Sequence, residues 1–445
     1  ITTIGNGAFY SCYCLNNISI PNGVTTIGEI AFARCSNLTT ITIPSNVSNI
    51  NNGAFDSCTN IVSAYFQGNT PTTFGTNVFS NCSPNFKIYF NTAASGWTTP
   101  TWNGYSTISE FSFTDNGSSI SITKYNGPGG TVTVPTAISG KPVTIIADEA
   151  FEGNATITGI VFPNSLTTIG LGAFHNCPNL NGVTIPNSVV SIGELAFALT
   201  GITNITIPGS ISTISQDAFT YCPNLTNVII QNGVTSINYG AFSFCTSLTT
   251  ISIPASVNSI ADALRCVSLQ AINVDSNNLI YSSIDGVLYN KNQTKIIKFP
   301  HGRSGNFIIP SSVTSIESNA FLACPNLTGI TIPSSVTSIG GGAFTGCSGL
   351  TTLILPDGIT QINDQLFRHC TNLTSITIPA SVTSIGNFAF LECSNLSSAY
   401  FPGNAPTTFD IYSFSNCSSN FKIYYHSNKT GWTTPTWNGY LTEIY

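Results

Sequence analysis

Residues Ser36–Phe55 read SNLTTITIPSNVSNINNGAF, and Cys58 follows three residues later. Leu38, Ile41 and Ile43 are spaced so that, in an extended strand, Ile41 and Ile43 share one face and Thr42 takes the other. Pro44 ends that strand. Val47 and Ile50 supply a second short apolar run, Gly53 turns the chain, and Ala54, Phe55 and Cys58 stand at helical spacing. The stretch therefore predicts a strand, a corner, a second extended run and one helical turn. A unit of this size cannot bury its own apolar side, so it must be stacked against copies of itself.

The copies are present. The phenylalanine of the unit recurs from Phe9, Phe32, Phe55 and Phe79 to Phe367, Phe390 and Phe414, in steps of 22 to 24 wherever no insertion intervenes. With Leu264 filling the slot in one degenerate copy, the pattern predicts fifteen coils.

Twelve of the fourteen cysteines follow a repeat phenylalanine by three residues, and Cys266 holds the same slot in the degenerate copy. Only Cys14 stands outside the pattern. One consensus position seen many times does not read as a disulfide framework, although bridges between neighbouring rungs stacked about 5 Å apart stay open to it, and zinc is not expected because no C-x-x-C pair or histidine partner accompanies it. Asn154 and Thr200 replace the cysteine in two coils, so the slot calls for a small, partly buried group, filled by free thiols that pack as small hydrophobes.

Composition narrows the partners. Charged residues make up 7% of the 445, against about 25% in ordinary proteins, and the net charge of −6 is spread without runs. Nucleic acid and anionic membranes both need clustered Lys and Arg, so neither is expected. No stretch approaches the roughly 18 uninterrupted apolar residues of a spanning helix.

The coils are interrupted at defined places. Residues 65–105, from YFQGNTPTTF to GWTTPTWNGY, return as residues 400–440 at a constant offset of 335. A module that closes two arrays is a terminal cap, with Trp97, Trp102, Trp432 and Trp437 as candidate aromatic contacts over the last coil. This divides the chain into a first array over 1–105, a β-hairpin entry cap over 106–149, in which Phe111–Tyr125 alternates around Asp115, Asn116 and Gly117, and a second array over 150–445. The second array carries a hairpin insertion at 270–309 and its own cap at 400–440. The insertion holds Lys291, Lys295, Lys298 and Arg303, read as a solvated charged face. Because the chain opens inside a coil and stops where another entry cap would begin, it is expected to be a piece of a longer protein.

The unit I-x-I-P-x-S-V-T-S-I-G-x-x-A-F-x-x-C-x-x-L, as at Ile330–Leu350 and Ile376–Leu396, resembles the BspA-type leucine-rich repeat, as do Asp285–Lys291 and Ile138–Phe151. The resemblance implies a right-handed leucine-rich-repeat solenoid with a parallel β-sheet on the concave face and short helical turns on the convex face. It also implies an extracellular or cell-surface protein associated with adhesion to host matrix proteins or other cells.

Nothing in the sequence points to catalysis, a cofactor or a metal. The histidines His175, His301, His369 and His426 stand in different settings, without a carboxylate or cysteine at a meaningful spacing, and no phosphate loop, G-x-S-x-G or H-E-x-x-H occurs. The informative positions lie between the two inward residues of each strand, where one side chain faces out. Most are Thr or Ser; Tyr65, Val161, Ile229, Ile354 and Tyr400 break the ladder with apolar or aromatic groups, as interaction surfaces do. These five form the candidate binding face. The expected function is non-enzymatic binding of protein ligands, or of copies of itself, over an extended surface. The alternative is a structural building block of a filament, stalk or surface layer made of joined arrays.

Overall fold

The computed structural model describes residues 1–445 and contains strands and turns but no helix. It divides into two compact units, Ile1–Leu180 and Asn181–Tyr445. Each is a parallel β-solenoid in which most turns contribute a longer strand and a short one.

In the first unit the longer strands Thr40–Ile43, Ser63–Phe66, Lys87–Phe90 and Tyr105–Ser109 pair in parallel, in sequence order. Their register aligns Ile41, Ala64, Ile88 and Thr107 on the inner face and Thr42, Tyr65, Tyr89 and Ile108 on the outer. The short strands Thr3–Ile4, Thr26–Ile27, Asn49–Ile50 and Thr73–Phe74 form a second parallel ladder. Between the ladders lies a column of phenylalanines. Phe9, Phe32, Phe55 and Phe79 stack with centroids 4.9–5.1 Å apart and planes within 10°. The strand spacing of about 4.8 Å sets that distance, and removing one such ring from the column costs about 3–5 kcal/mol.

The A-F-x-x-C segment, where spacing predicts a helical turn, is built differently. In the rung of Phe32, the amides of Ala31, Ala33 and Cys35 donate three residues back, to Gly28, Ile30 and Phe32, at 3.1–3.3 Å. The alternate amides of Ile30, Phe32 and Arg34 donate to the next rung, to Asn52, Ala54 and Asp56, at 2.8–3.0 Å. A helix would turn all of these amides back along its own axis and leave none to hold the neighbouring rung. The alternation needs a left-handed residue two positions before and two after the phenylalanine, and φ is positive at both, as at Ile30 (47°) and Arg34 (61°). The segment is thus a third inter-rung ladder, and the expected convex helical turns are absent.

The cysteines belong to the same ladder. The Cys58 thiol donates to the Phe32 carbonyl of the preceding rung at 3.0 Å, and Cys393 does the same to Phe367 at 3.0 Å. All fourteen cysteines are free thiols. The slot therefore rewards a small group with a weak donor, and Thr200 fills it by donating to the Phe197 carbonyl of its own rung at 2.7 Å.

The solenoid has about nineteen turns, more than the fifteen expected. The additional ones lack the repeat's A-F-x-x-C signature. The hairpin Phe111–Asp115 with Ile120–Tyr125 passes its second strand into the short-strand ladder, parallel to Lys141–Ile146, and Tyr125 takes the phenylalanine slot, its amide donating to Ala150 at 2.9 Å. In the second unit Tyr281–Ile284, Val287–Asn290 and Lys295–Lys298 form an antiparallel meander whose last strand runs parallel to Ser315–Ile316. Phe299 then fills the aromatic slot, with its amide on Ala320 at 2.8 Å and its ring 4.9 Å from Phe321. Each insertion is itself a turn of the solenoid. The cap modules make up the remainder, ending on Tyr105 and Tyr440.

Candidate binding face

The outer face of the longer-strand sheet carries the five residues singled out above, in two separate units. In the first, Tyr65 lies beside Tyr89, the rings stacked at 4.8 Å and 21°. Val161, paired in register with Thr133, is half exposed. In the second, Ile229 is also half exposed and registers with Thr206, and Tyr400 stacks on Tyr424 at 5.0 Å and 20°.

Ile354 is the most exposed of the five, at 83%, and bridges to Thr331, which registers with Ile308, itself 73% exposed. Ile308, Thr331 and Ile354 thus form one outward column across three adjacent turns. Ile308, Tyr89 and Tyr424 were not recognised in the sequence. Ile308 belongs to a strand embedded in the insertion, and the two tyrosines to cap strands whose consensus is diluted. The register from Ser63–Phe66 onto FKIYF would have found the tyrosines.

The four cap tryptophans face inward. Trp97 and Trp102 pack against the first unit's core and Trp432 against the second's, where Trp437 is buried. The indole N–H of Trp97 donates to the Gly68 carbonyl at 3.0 Å, and that of Trp432 to Gly403 at 3.2 Å.

The basic residues of the insertion each have a partner, although Lys291, Lys295 and Arg303 stay in contact with water. Lys298 is buried, 2.8 Å from Asp262, which also receives Arg265 at 2.7 Å. Lys291 donates to the carbonyls of Ser276 and Asn278, Lys295 pairs with Glu317 at 2.9 Å, and Arg303 donates to the Asp285 carbonyl. His301 lies beside this cluster, buried and with Nε2 unpaired. Burial first, and then the Lys298 charge, lowers its pKa to about 3, so it is neutral.

Two histidines do meet carboxylates, contrary to expectation. His175 Nδ1 lies 3.0 Å from Glu152, and His369 Nδ1 lies 2.6 Å from Glu392. The partners are 23 residues apart, which is one turn, so they occupy the same slot in adjacent rungs. Sequence neighbourhoods hide such pairs, whereas the repeat period reveals them. Both pairs are partly exposed, and no group of three or more His, Cys, Asp or Glu is placed to hold a metal ion. No helix is long and apolar enough to cross a membrane.

The BspA type leucine rich repeat region, in six copies, matches residues 2–127, 144–270 and 298–421. Among solved structures, a leucine rich cell surface protein of Faecalibacterium prausnitzii is 30% identical, with a TM-score of 0.59 over 79% of this chain and 99% of that one. A leucine-rich repeat protein of Eubacterium ventriosum is 26% identical, with a TM-score of 0.51 over 69% and 80%. The pneumococcal vaccine antigen PcpA shares the fold at 19% identity, with a TM-score of 0.61 over 72% and 92%. No functionally curated protein matches the sequence. With its repeat unit matched along most of its length, the chain belongs to the BspA-type leucine-rich-repeat family.

Proposed function

We propose that this chain is a non-enzymatic, extracellular or cell-surface binding protein that holds protein ligands, such as host matrix proteins or the surface proteins of other cells, on the outer face of its longer-strand sheet. The observation that carries the reading is the column of Ile308, Thr331 and Ile354, in which two isoleucines are left 73% and 83% exposed on a face that carries Thr or Ser in most turns. Covering apolar area recovers about 25 cal/mol per Å², and the stacked pair Tyr400 and Tyr424 adds the residue type that anchors interfaces most often. The similar Faecalibacterium protein, described as a leucine rich cell surface protein, supports the location.

The test is binding of the purified chain to immobilised extracellular-matrix proteins and to intact host and bacterial cells, compared with the double variant Ile308→Asn, Ile354→Asn. Expected is binding by the parent that weakens at least tenfold in the variant while the unfolding midpoint holds. Absence of binding by the parent overturns the reading. Concentration-dependent sedimentation that the variant abolishes, without binding to any foreign surface, replaces it with self-assembly.

A further inference from the structure

In the first unit a cavity of about 490 Å³ is lined by Tyr65 and Tyr89 on the outer sheet face, by Tyr125, and by the backbone of residues 129–133. The Tyr125 hydroxyl accepts the Gly129 amide at 3.0 Å, which fixes the turn of that backbone. Gly129 itself has φ +96°, and a Cβ there would collide with Thr156. The wall is therefore held from both sides.

Glu110 lines the same cavity, and nothing in the protein answers its charge. No Lys, Arg or His is among the lining residues. Burial alone raises its pKa, to about 7, with no hydrogen bond or cation to lower it. Glu110 is half-buried, and a partly desolvated carboxylate without a partner is destabilised in a way that a group of opposite charge relieves. The adjacent tyrosine rings attract cations through their π-faces, and an anion would meet only repulsion here.

We propose that this cavity binds an organic cation, an ammonium or guanidinium group such as ends a lysine or arginine side chain, with Glu110 as counter-ion and Tyr65 and Tyr89 as the aromatic wall. The duplicated module supplies an internal contrast. Tyr400 and Tyr424 reproduce the stacked pair at 5.0 Å, but the residue 335 positions after Glu110 is Tyr445, whose ring meets Tyr400 edge-on at 5.5 Å. The nearby Glu443 is already paired with Lys422 at 2.9 Å. The second pair has the rings without a free carboxylate.

The experiment is a ligand-observed NMR titration of the full chain with N-acetyl-lysine methylamide, N-acetyl-arginine methylamide and the neutral N-acetyl-norleucine methylamide. Expected is binding of a cationic probe at least tenfold tighter than the neutral one. Glu110→Gln should weaken it at least tenfold and Tyr89→Leu at least threefold, while Tyr424→Ala leaves it unchanged. Because the carboxylate is the binding form, affinity should fall severalfold from pH 8 to pH 6 in the parent and stay level in Glu110→Gln. The remaining ionisable groups of the cavity are the phenols of Tyr65, Tyr89 and Tyr125; burial first raises the last two above their ordinary value. Equal binding of the neutral probe, full binding by a folded Glu110→Gln chain, or no binding of either cation overturns the proposal. None of these outcomes bears on the isoleucine column of the second unit.

Discussion

The phenolic oxygen of Tyr440 accepts the backbone amide of Phe414 at 3.3 Å, in the place where the inner rungs offer a backbone carbonyl, most often alanine's, from the turn that follows. The hydroxyl also donates to the Ile411 carbonyl at 2.7 Å, and the ring stands edge-on to Phe414 and Phe421, at 79° and 87°. Tyr105 does the same for Phe79, accepting its amide at 3.1 Å. One side chain thus ends both the hydrogen-bond ladder and the aromatic stack.

Removing that hydroxyl should be felt in stability. Tyr440→Phe keeps the ring and leaves the Phe414 amide and the Ile411 carbonyl without partners, a loss of about 1–3 kcal/mol. Urea unfolding of Tyr440→Phe and Tyr105→Phe should show it in both. Parent-like midpoints would mean that water replaces the phenol at no cost.

The buried cluster of the insertion predicts an acid-sensitive fold. His301 has a pKa near 3 in the folded chain against an ordinary value of 6.5. Between these values the unfolded chain binds more protons than the folded one. Its contribution is therefore complete above pH 6.5 and is lost as pH falls toward 3, by up to about 1.4 kcal/mol per unit. Asp262 acts lower on the scale: burial pushes its pKa up, but Lys298 and Arg265 more than offset this and hold it below its usual value. Glu110, whose raised pKa acts in the opposite direction, contributes equally to parent and variant. Urea midpoints at pH 7, 6, 5 and 4 should therefore fall in the parent relative to His301→Gln, and a constant difference between the two would assign the effect elsewhere.

The alternating ladder makes a prediction opposite in sign to a helix. Glu149, with φ 57°, and Gly172, with φ 56°, hold the same slot in successive rungs. Glu149→Gly relieves a left-handed non-glycine residue and should stabilise by up to about 1 kcal/mol, whereas Gly172→Ala should destabilise by about as much. In a helical turn both signs would be reversed, because glycine is the poorer former. Thermal midpoints of the two variants decide.

The thiol ladder predicts selective chemistry. Cys12 and Cys14 are exposed, Cys82 and Cys417 are half-buried, and the other ten are buried. Burial, the largest effect, raises the pKa of Cys58 and of Cys82 to about 12, which withdraws the reactive thiolate at neutral pH. Iodoacetamide at pH 7.5 on the native chain should label Cys12 and Cys14 alone, as read by peptide mass spectrometry, and all fourteen after unfolding. Rapid labelling of Cys58 in the native state would contradict the packed ladder.

The repeat unit by itself determined the stacked solenoid. Leu38, Ile41, Ile43, Phe55 and Cys58 can be buried only against copies of themselves, and that requirement is written in every coil. It also determined that the cysteines form one slot and that the tryptophans recur as a pair of modules. What lay beyond it depended on contacts one turn away, about 23 residues along the chain, which local spacing does not display. Helical spacing at Ala54, Phe55 and Cys58 is equally met by an alternating left-handed turn, and only the neighbouring rung's carbonyls select the latter. Tyr125 and Phe299 take the aromatic slot without the consensus around them, because stacking requires a ring there and not a particular neighbour. Ile308 reaches the column of Ile354, and Glu110 reaches the stacked tyrosines, through register alone. The inward positions were legible because their chemistry repeats; the outward ones acquired meaning only when tertiary structure placed them side by side.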